Sequence, residues 1–290
     1  MRRQRLIARV AERVLSEKEA PLLPKGLDVV GDIAIVKIPD ELEEKRFELA
    51  EALLQEAGPS IKVVLRQTSP TAGEHRVRGL EWLAGERRMT TVHREYGCRF
   101  KVELDKVYFS PRLAYERMRV AKLVQRAERR EDIVNMFAGV GSFSIIVARH
   151  CEVGKVYSID INPDAVRLME ENARLNKVDD RVITIEGDAR EVIETQLQEV
   201  AGRVLMPLPE RAYEYMDVAI RALKSRGWVH YYDFTHAGRG EDPERRVIDR
   251  MSIRLGELEV SFEVGSSRVV RGVGPNWYQI AVDIFVSSKP

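Results

Sequence analysis

Residues 135–141 read Asn-Met-Phe-Ala-Gly-Val-Gly, and nineteen residues beyond Gly141 stands Asp160, in Ser-Ile-Asp-Ile-Asn-Pro. A strand at Ile133 and Val134 runs into this glycine turn, which opens a helix. Glycine is required where the backbone bends sharply and must approach a ligand closely. An acid at the tip of the next strand can accept hydrogen bonds from a ribose diol. Together these residues describe a grip on a nucleoside at the carboxyl edge of a parallel sheet. A dinucleotide site wants a third glycine, with the pyrophosphate on the helix N-terminus. Ser144 takes that position here, and the turn carries the bulky Phe137. A cofactor without phosphates, S-adenosylmethionine, suits this pattern better.

Further groups fall at the same predicted edge. A third strand ends in Glu186-Gly187-Asp188-Ala189. Its Asp188 carboxylate can accept from an adenine amine or cap the next helix, and both roles can hold at once. A fourth strand ends in Met206-Pro207-Leu208-Pro209-Glu210, where a substrate's reacting atom would lie. Pro207 can shape a pocket but has no side chain for proton transfer. Upstream, Glu116 stands among arginines in Val107-Tyr108-Phe109-Ser110-Pro111-Arg112-Leu113-Ala114-Tyr115-Glu116-Arg117-Met118-Arg119. That pattern reads either as a salt-bridged helix face or as a general base beside a cationic, RNA-lined pocket.

The elements that must position these groups follow from periodicity. Residues 1–20 carry Leu6, Ile7, Val10, Val14 and Leu15 at helical spacing, and Pro21 and Pro24 end that helix. Asp28–Ile38 reads as a strand pair bent at Gly31, 40–56 as an amphipathic helix, and 61–65, 80–83, 89–93 and 100–104 as strands. A helix is expected over 110–129, with Pro111 in its first turn. Strands at 132–136, 155–160, 182–186, 203–206, 227–233 and 278–286 then alternate with helices at 142–150, 163–176, 189–200, 209–224 and 242–254. The expectation is an α/β, Rossmann-like doubly wound sheet. A strand near 257–264 pairs antiparallel with the last one, the edge hairpin typical of class I methyltransferases. A smaller α+β domain precedes this one. The predicted domains are a basic N-terminal helix and linker over 1–27, an α+β domain over 28–109 that meets the substrate, and a cofactor-binding domain over 110–290.

Composition bounds the partners. The chain has 290 residues, is 44% hydrophobic and carries a net charge of +1, so no global basic field advertises nucleic acid. Arginine clusters exist locally, at Arg2, Arg3, Arg5, Arg9 and Arg13 and at Arg112, Arg117, Arg119 and Lys122. Several such clusters around one site form a plausible RNA track. No apolar run of about 18 residues is present, which argues against a transmembrane helix. Cys98 and Cys151, with no metal-ligand spacing, indicate a reduced, cytoplasmic protein with no metal site.

The motifs at 107–119, 136–141 (Met-Phe-Ala-Gly-Val-Gly), 160–166 (Asp-Ile-Asn-Pro-Asp-Ala-Val), 171–178 (Glu-Asn-Ala-Arg-Leu-Asn-Lys-Val) and 230–234 (His-Tyr-Tyr-Asp-Phe) occur in order. The chain in this respect resembles the archaeal tRNA (guanine-N1)-methyltransferases that act on guanosine 37, beside the anticodon. The resemblance implies S-adenosyl-L-methionine as donor and the tRNA anticodon loop as acceptor, with a monomer favoured. By motif position it implies Glu116 as general base, Tyr108 as a packing aromatic and Arg76 as the contact to guanine, with Arg78 two residues away on the same face of a strand. The implied cofactor contacts are Phe109, Phe137, Gly139, Gly141, Asp160, Ile161, Asp188, Ala189 and Pro207. The implied substrate contacts are Arg112, Arg119 and Pro209.

Three departures from the family pattern are expected to matter. Asn135 replaces the usual aspartate, and Pro207-Leu208-Pro209 replaces Asn-Leu-Pro. The domain that touches the tRNA elbow in many relatives is expected to be missing. Two alternatives share the nucleotide: methylation of a tricyclic wyosine precursor, and transfer of the cofactor's aminocarboxypropyl arm. A third is a non-catalytic tRNA-binding protein derived from such an enzyme.

Overall fold

The computed structural model describes residues 2–71 and 73–289, and of residues 2–4 only the backbone. The side chains of Arg2 and Arg3 therefore lie outside the described residues. The chain divides into two compact units, 1–112 and 113–290.

In the first unit, helix α1 (Arg2–Val14) is followed by strands β1 (Asp28–Val30) and β2 (Ile33–Val36), helix α2 (Arg46–Ala57), and strands β3 (Val63–Gln67) and β4 (Leu80–Gly85). These strands form one sheet in chain order, and β5 (Thr90–Glu95) pairs with β6 (Cys98–Glu103) in a separate hairpin. Gly31, at φ +56°, makes the tight turn between β1 and β2. Ile7, Val10 and Ala11 of α1 pack into one core with Leu49 and Leu53 of α2 and with Ala34, Val64 and Leu83 of the sheet. The first helix is thus part of this unit's core, and its Arg9 pairs with Glu56 of α2 at 3.0 Å. Residues 40–45 form a tight 3-10 segment, and only 46–57 are α-helical.

Gly85 closes β4 at φ +85°, and a Cβ there would stand 2.0 Å from the Lys62 carbonyl oxygen. Backbone cannot yield as a side-chain tip does. Gly85→Ala is expected to cost this unit roughly 3 kcal/mol, seen as a lowered melting temperature.

The second unit opens with α3 (Ala114–Gln125), shorter than the helix expected over 110–129. There follow β7 (Ile133–Asn135), α4 (Ser142–His150), β8 (Val156–Asp160), α5 (Pro163–Leu175), β9 (Val182–Glu186), α6 (Ala189–Gln196), β10 (Ala201–Met206), α7 (Pro209–Ala212), α8 (Met216–Ala222), β11 (Leu223–His236), α9 (Pro243–Glu257), β12 (Ser261–Gly274) and β13 (Trp277–Ser288). The sheet order is β12-β13-β11-β10-β7-β8-β9. Strands β7 to β11 are parallel, and β13 and β12 close one edge antiparallel. This is the expected doubly wound architecture with its C-terminal hairpin. The chain runs from β7 out to β9, then returns to place β10 on the other side of β7. That reversal is the switch point where a doubly wound sheet opens a crevice.

Alternation along the strands sorts the faces. Val134, Met206, Tyr231, Ile280, Val282 and Ile284 pack with Val192, Met216, Val247 and Met251 of α6, α8 and α9. The intervening residues, His230 and Tyr232 on β11 and Asp283 on β13, face the opposite side, towards α3.

Candidate active site at the carboxyl edge of the sheet

The glycine turn follows β7 directly. Gly139 and Gly141 both adopt left-handed backbone, at φ +56° and +81°, where other residues are strained. Gly141 caps α4, and a Cβ on it would lie 2.7 Å from Met169 Cγ and 3.0 Å from Ile145 Cδ1. Asp160, at the end of β8, locks the turn: its carboxylate accepts from the Gly139 N–H at 2.6 Å and from the Asn162 N–H at 3.0 Å. Asn162 caps α5 through the Asp164 N–H, with Pro163 at the first helical position. Ile161, beside this acid, is partly exposed.

Asp188 caps α6, accepting from the Arg190 N–H at 2.8 Å, and its other oxygen accepts from the Tyr215 hydroxyl at 2.6 Å. Burial, reinforced by that carboxylate, raises the Tyr215 phenol above its ordinary range, so the hydroxyl remains a donor. Tyr215 also meets Phe137 of the glycine turn edge-on, ring centroids 5.3 Å apart. Glycine turn, acid and aromatic wall thus line one edge. Ala189 is the buried first residue of α6, and Pro209 is the buried first residue of α7, two positions after Pro207 leaves β10. Asn135 lies beneath the turn, where its amide donates to Ser144 Oγ at 3.0 Å, and Ser158 donates to the same oxygen at 2.7 Å.

This edge fits the nucleoside expected from the sequence. The first turn of α4, Ser142-Phe143-Ser144, carries no cation to take a phosphate, whereas two carboxylates and an aromatic ring stand beside the turn.

Glu116, on α3, is 1% exposed. Its Oε1 accepts from the Tyr232 hydroxyl at 2.8 Å and from Arg119 Nε and Nη2 at 2.8 and 2.7 Å. Among the described residues its Oε2 has no hydrogen-bond partner, and Arg268 Nε is 3.9 Å away. Burial, together with the Glu116 anion, pushes the Tyr232 phenol well above its usual range. Tyr232 in turn meets Phe143 of α4 edge-on, centroids 6.1 Å apart. Because Phe143 is the second residue past Gly141, this ring contact ties the carboxylate to the glycine turn.

Arg119 does not reach outward as a substrate-binding arginine would. Its guanidinium is committed to Glu116 and to Asp283. Burial opposes its charge, but these carboxylates outweigh that and raise it above the ordinary arginine value.

Arg76, Tyr108, Phe109 and Arg112 belong to the first unit. The Arg76 guanidinium lies 5.2 Å from the Tyr108 ring centroid, so the structure brings these two together. Arg76 and Arg78 do not share a strand face. Arg76 sits in a turn at φ +54°, and β4 begins only at Leu80. Arg112 pairs with Asp28 at 2.7 Å, and the buried Phe109 packs on His93 and Phe100. Sequence reading missed Tyr215, Tyr232 and Asp283. The His-Tyr-Tyr-Asp-Phe alternation carried a signal for Tyr232, since it places that ring and His230 on one face.

Among the described residues no helix is long and apolar enough to cross a membrane, and no group of metal ligands gathers. A family model described as the TRM5/TYW2 methyltransferase domain matches residues 91–259, and one described as the TYW2 N-terminal domain matches residues 7–88. The tRNA (guanine(37)-N(1))-methyltransferase Trm5b of Pyrococcus abyssi is 42% identical over 265 residues, 91% of this chain and 76% of the relative. The tRNA 4-demethylwyosine(37)-methyltransferase Taw21 of Saccharolobus solfataricus is 37% identical over 261 residues, 90% of this chain and 93% of the relative. Among solved structures, a complex of aTrm5 with tRNALeu superposes with a TM-score of 0.81 at 36% identity, covering 96% of this chain and 76% of that one.

Proposed function

Because this chain belongs to the TRM5/TYW2 methyltransferase family, we propose that it methylates N1 of guanosine 37 in tRNA, with Glu116 as the proton acceptor. The carrying observation is the Glu116 carboxylate: one oxygen is held by three donor atoms, and the other, Oε2, accepts no hydrogen bond among the described residues and has only the Arg268 Nε nearby, at 3.9 Å. S-adenosylmethionine supplies an electrophilic methyl group on a sulfonium.

Guanine N1 carries a proton and is a poor nucleophile near neutral pH. Glu116 Oε2 takes that proton as N1 bonds the methyl carbon, whose bond to the sulfonium breaks and leaves a neutral thioether. Tyr232 and Arg119 hold the carboxylate in place, so little reorganisation is needed at that moment. Gly139, Gly141 and Asp160 grip the nucleoside part of the donor, and Phe137, Ile161, Asp188, Ala189, Phe109 and Pro207 are its further contacts in this reading. By motif position Arg76 is the arginine and Tyr108 the aromatic that the family directs at the target guanine, which leaves its stack to react. Arg112 and Pro209 contact the anticodon loop. The enzyme works in the cytoplasm as a monomer.

A methylation assay on tRNA transcripts tests this. Unmodified tRNA gains one methyl as N1-methylguanosine, and replacing guanosine 37 abolishes incorporation. S-adenosylmethionine binding without any such incorporation would overturn the proposal. A second reading, methylation of 4-demethylwyosine at the same position, draws on Pro207, which offers no amide for a guanine contact. Mass analysis of the product nucleoside separates the two, and would equally reveal an aminocarboxypropyl adduct.

A further inference from the structure

Beneath Glu116 runs a buried chain of polar side chains that a general base alone does not require. Arg119 bridges from Glu116 to both oxygens of Asp283 on β13. Asp283 Oδ1 lies 2.5 Å from His230 Nδ1, and His230 Nε2 lies 2.8 Å from Arg203 Nη1. Arg203 closes the chain on Glu131 at 2.9 Å. Ser266 donates to Asp283 Oδ2 at 2.6 Å. An arginine has only donors, so Nε2 accepts and the imidazole proton sits on Nδ1, facing Asp283. His230 is therefore a neutral ring of fixed tautomer. Its register opposite Asp283 in the β11–β13 ladder sets this contact.

Resting on the reading of Glu116 as the base, we propose that Arg119 and Asp283 are positioning residues acting as a matched pair. Arg119 pins Oε1 and supplies the cation that favours the Glu116 anion. Asp283, oriented by His230, offsets part of that cation so that the carboxylate stays basic enough to take a proton.

Among the described residues, the groups that approach Glu116 come from three elements, with a fourth behind them. Arg119 approaches from α3, Arg268 from β12 at 3.9 Å, and the neutral Tyr232 from β11, with Asp283 behind Arg119 on β13. Arg117, its neighbour on α3, turns to the Phe143 ring, 6.0 Å from the centroid. Burial opposes ionisation of Asp283, but hydrogen bonds from His230 and Arg119 outweigh it and hold that carboxyl well below its usual range. Burial keeps the His230 ring from protonating.

The inference makes the two substitutions move the acidic limb of the pH–rate profile in opposite directions. Arg119→Gln removes the cation. Its rate at pH 7 should fall about 30-fold, and its acidic limb should move to higher pH. Asp283→Asn keeps the side chain's shape and leaves the cation uncompensated, with its NH2 turned towards Ser266, whose hydroxyl can rotate to accept. Its acidic limb should move to lower pH while the plateau falls about fivefold, the signature of a weaker base. Arg119→Lys should return the limb most of the way. S-adenosylmethionine and tRNA dissociation constants, measured by calorimetry and filter binding, should stay within about threefold, since neither residue touches either ligand in this scheme. Losses that are flat in pH, or limbs that shift the same way, would overturn the proposal and leave both residues as structural braces. Should Arg119→Gln not fold, the direction of the Asp283→Asn shift decides alone. A Glu116→Gln variant run alongside keeps the readings apart: full activity there removes the base itself, whereas its inactivity with flat neighbour profiles removes only the positioning pair.

Discussion

Glu116→Gln should lower the single-turnover rate of tRNA methylation by about 10²–10⁴-fold at neutral pH while leaving S-adenosylmethionine affinity within about twofold. The substitution keeps shape and volume at a position that is 1% exposed. It removes the one property a proton acceptor needs, because a neutral amide does not take the N1 proton. It also disturbs the ground state in a predictable way. If the amide oxygen stays with Tyr232 and Arg119, the amide nitrogen occupies the Oε2 position, 3.9 Å from the Arg268 Nε. A donor then points where the carboxylate had pointed an acceptor. If the amide flips, its NH2 meets the donors of Arg119 and Tyr232 and the side chain is expelled. Either way the proposed acceptor for the nucleobase is lost, while the glycine turn proposed to hold the donor keeps its own contacts. Quench-flow measurement with saturating cofactor gives the rate, and calorimetry gives the affinity. A rate within threefold of the parent would exclude Glu116 from proton transfer. A matching loss of cofactor affinity would instead make it part of the binding wall.

What the sequence made legible was local. The glycine turn, Asp160 at a strand tip, Asn162-Pro163 and Asp188 at helix starts all follow from residues within a few positions of one another, and each stands in the structure where chain chemistry put it. Element boundaries failed where a local signal was missing or misleading. The helix expected over 209–224 breaks at Tyr213–Tyr215 without any proline or glycine to announce it. The strand expected from 257 starts only at Ser261 and runs on to Gly274, because β12 is an exposed edge whose register shifts erase clean alternation. Arg76-Val77-Arg78 alternates like a strand, yet Arg76 closes a turn, Val77 makes only an isolated bridge and Arg78 lies in irregular chain before β4.

The environment of Glu116 was hidden for a different reason. Glu116 meets Tyr232 across 116 residues, and Arg119 meets Asp283 across 164. Nothing local to α3 says that its acid and its arginine will turn inward together. A Glu and an Arg three positions apart read equally well as a solvated pair. Only the sheet order, which brings the last strand beside β11, decides that they are buried and share a partner.

Asp160→Ala should weaken S-adenosylmethionine binding by about 10²–10⁴-fold, the second large effect and one that separates the two carboxylates at this edge. A ribose diol donates two hydrogen bonds to such an acid, and bonds to a charged acceptor contribute about 1.5–3 kcal/mol each when made in a crevice. The same carboxylate also holds the Gly139 and Asn162 N–H groups at 2.6 and 3.0 Å. Removing it therefore loosens the left-handed turn that the ligand must approach, and part of the binding energy goes into re-forming that turn. Asp188→Ala should cost less affinity, about fivefold, because that carboxylate already serves the Arg190 N–H and the Tyr215 hydroxyl and its loss falls mainly on stability. Asp160→Asn keeps one acceptor and should fall between them. Equilibrium calorimetry on the three variants, with thermal melting as a control for folding, orders them directly. If Asp188→Ala proved the weaker binder, the nucleoside would be anchored through its base rather than its sugar, and Asp160 would be the brace of the turn alone.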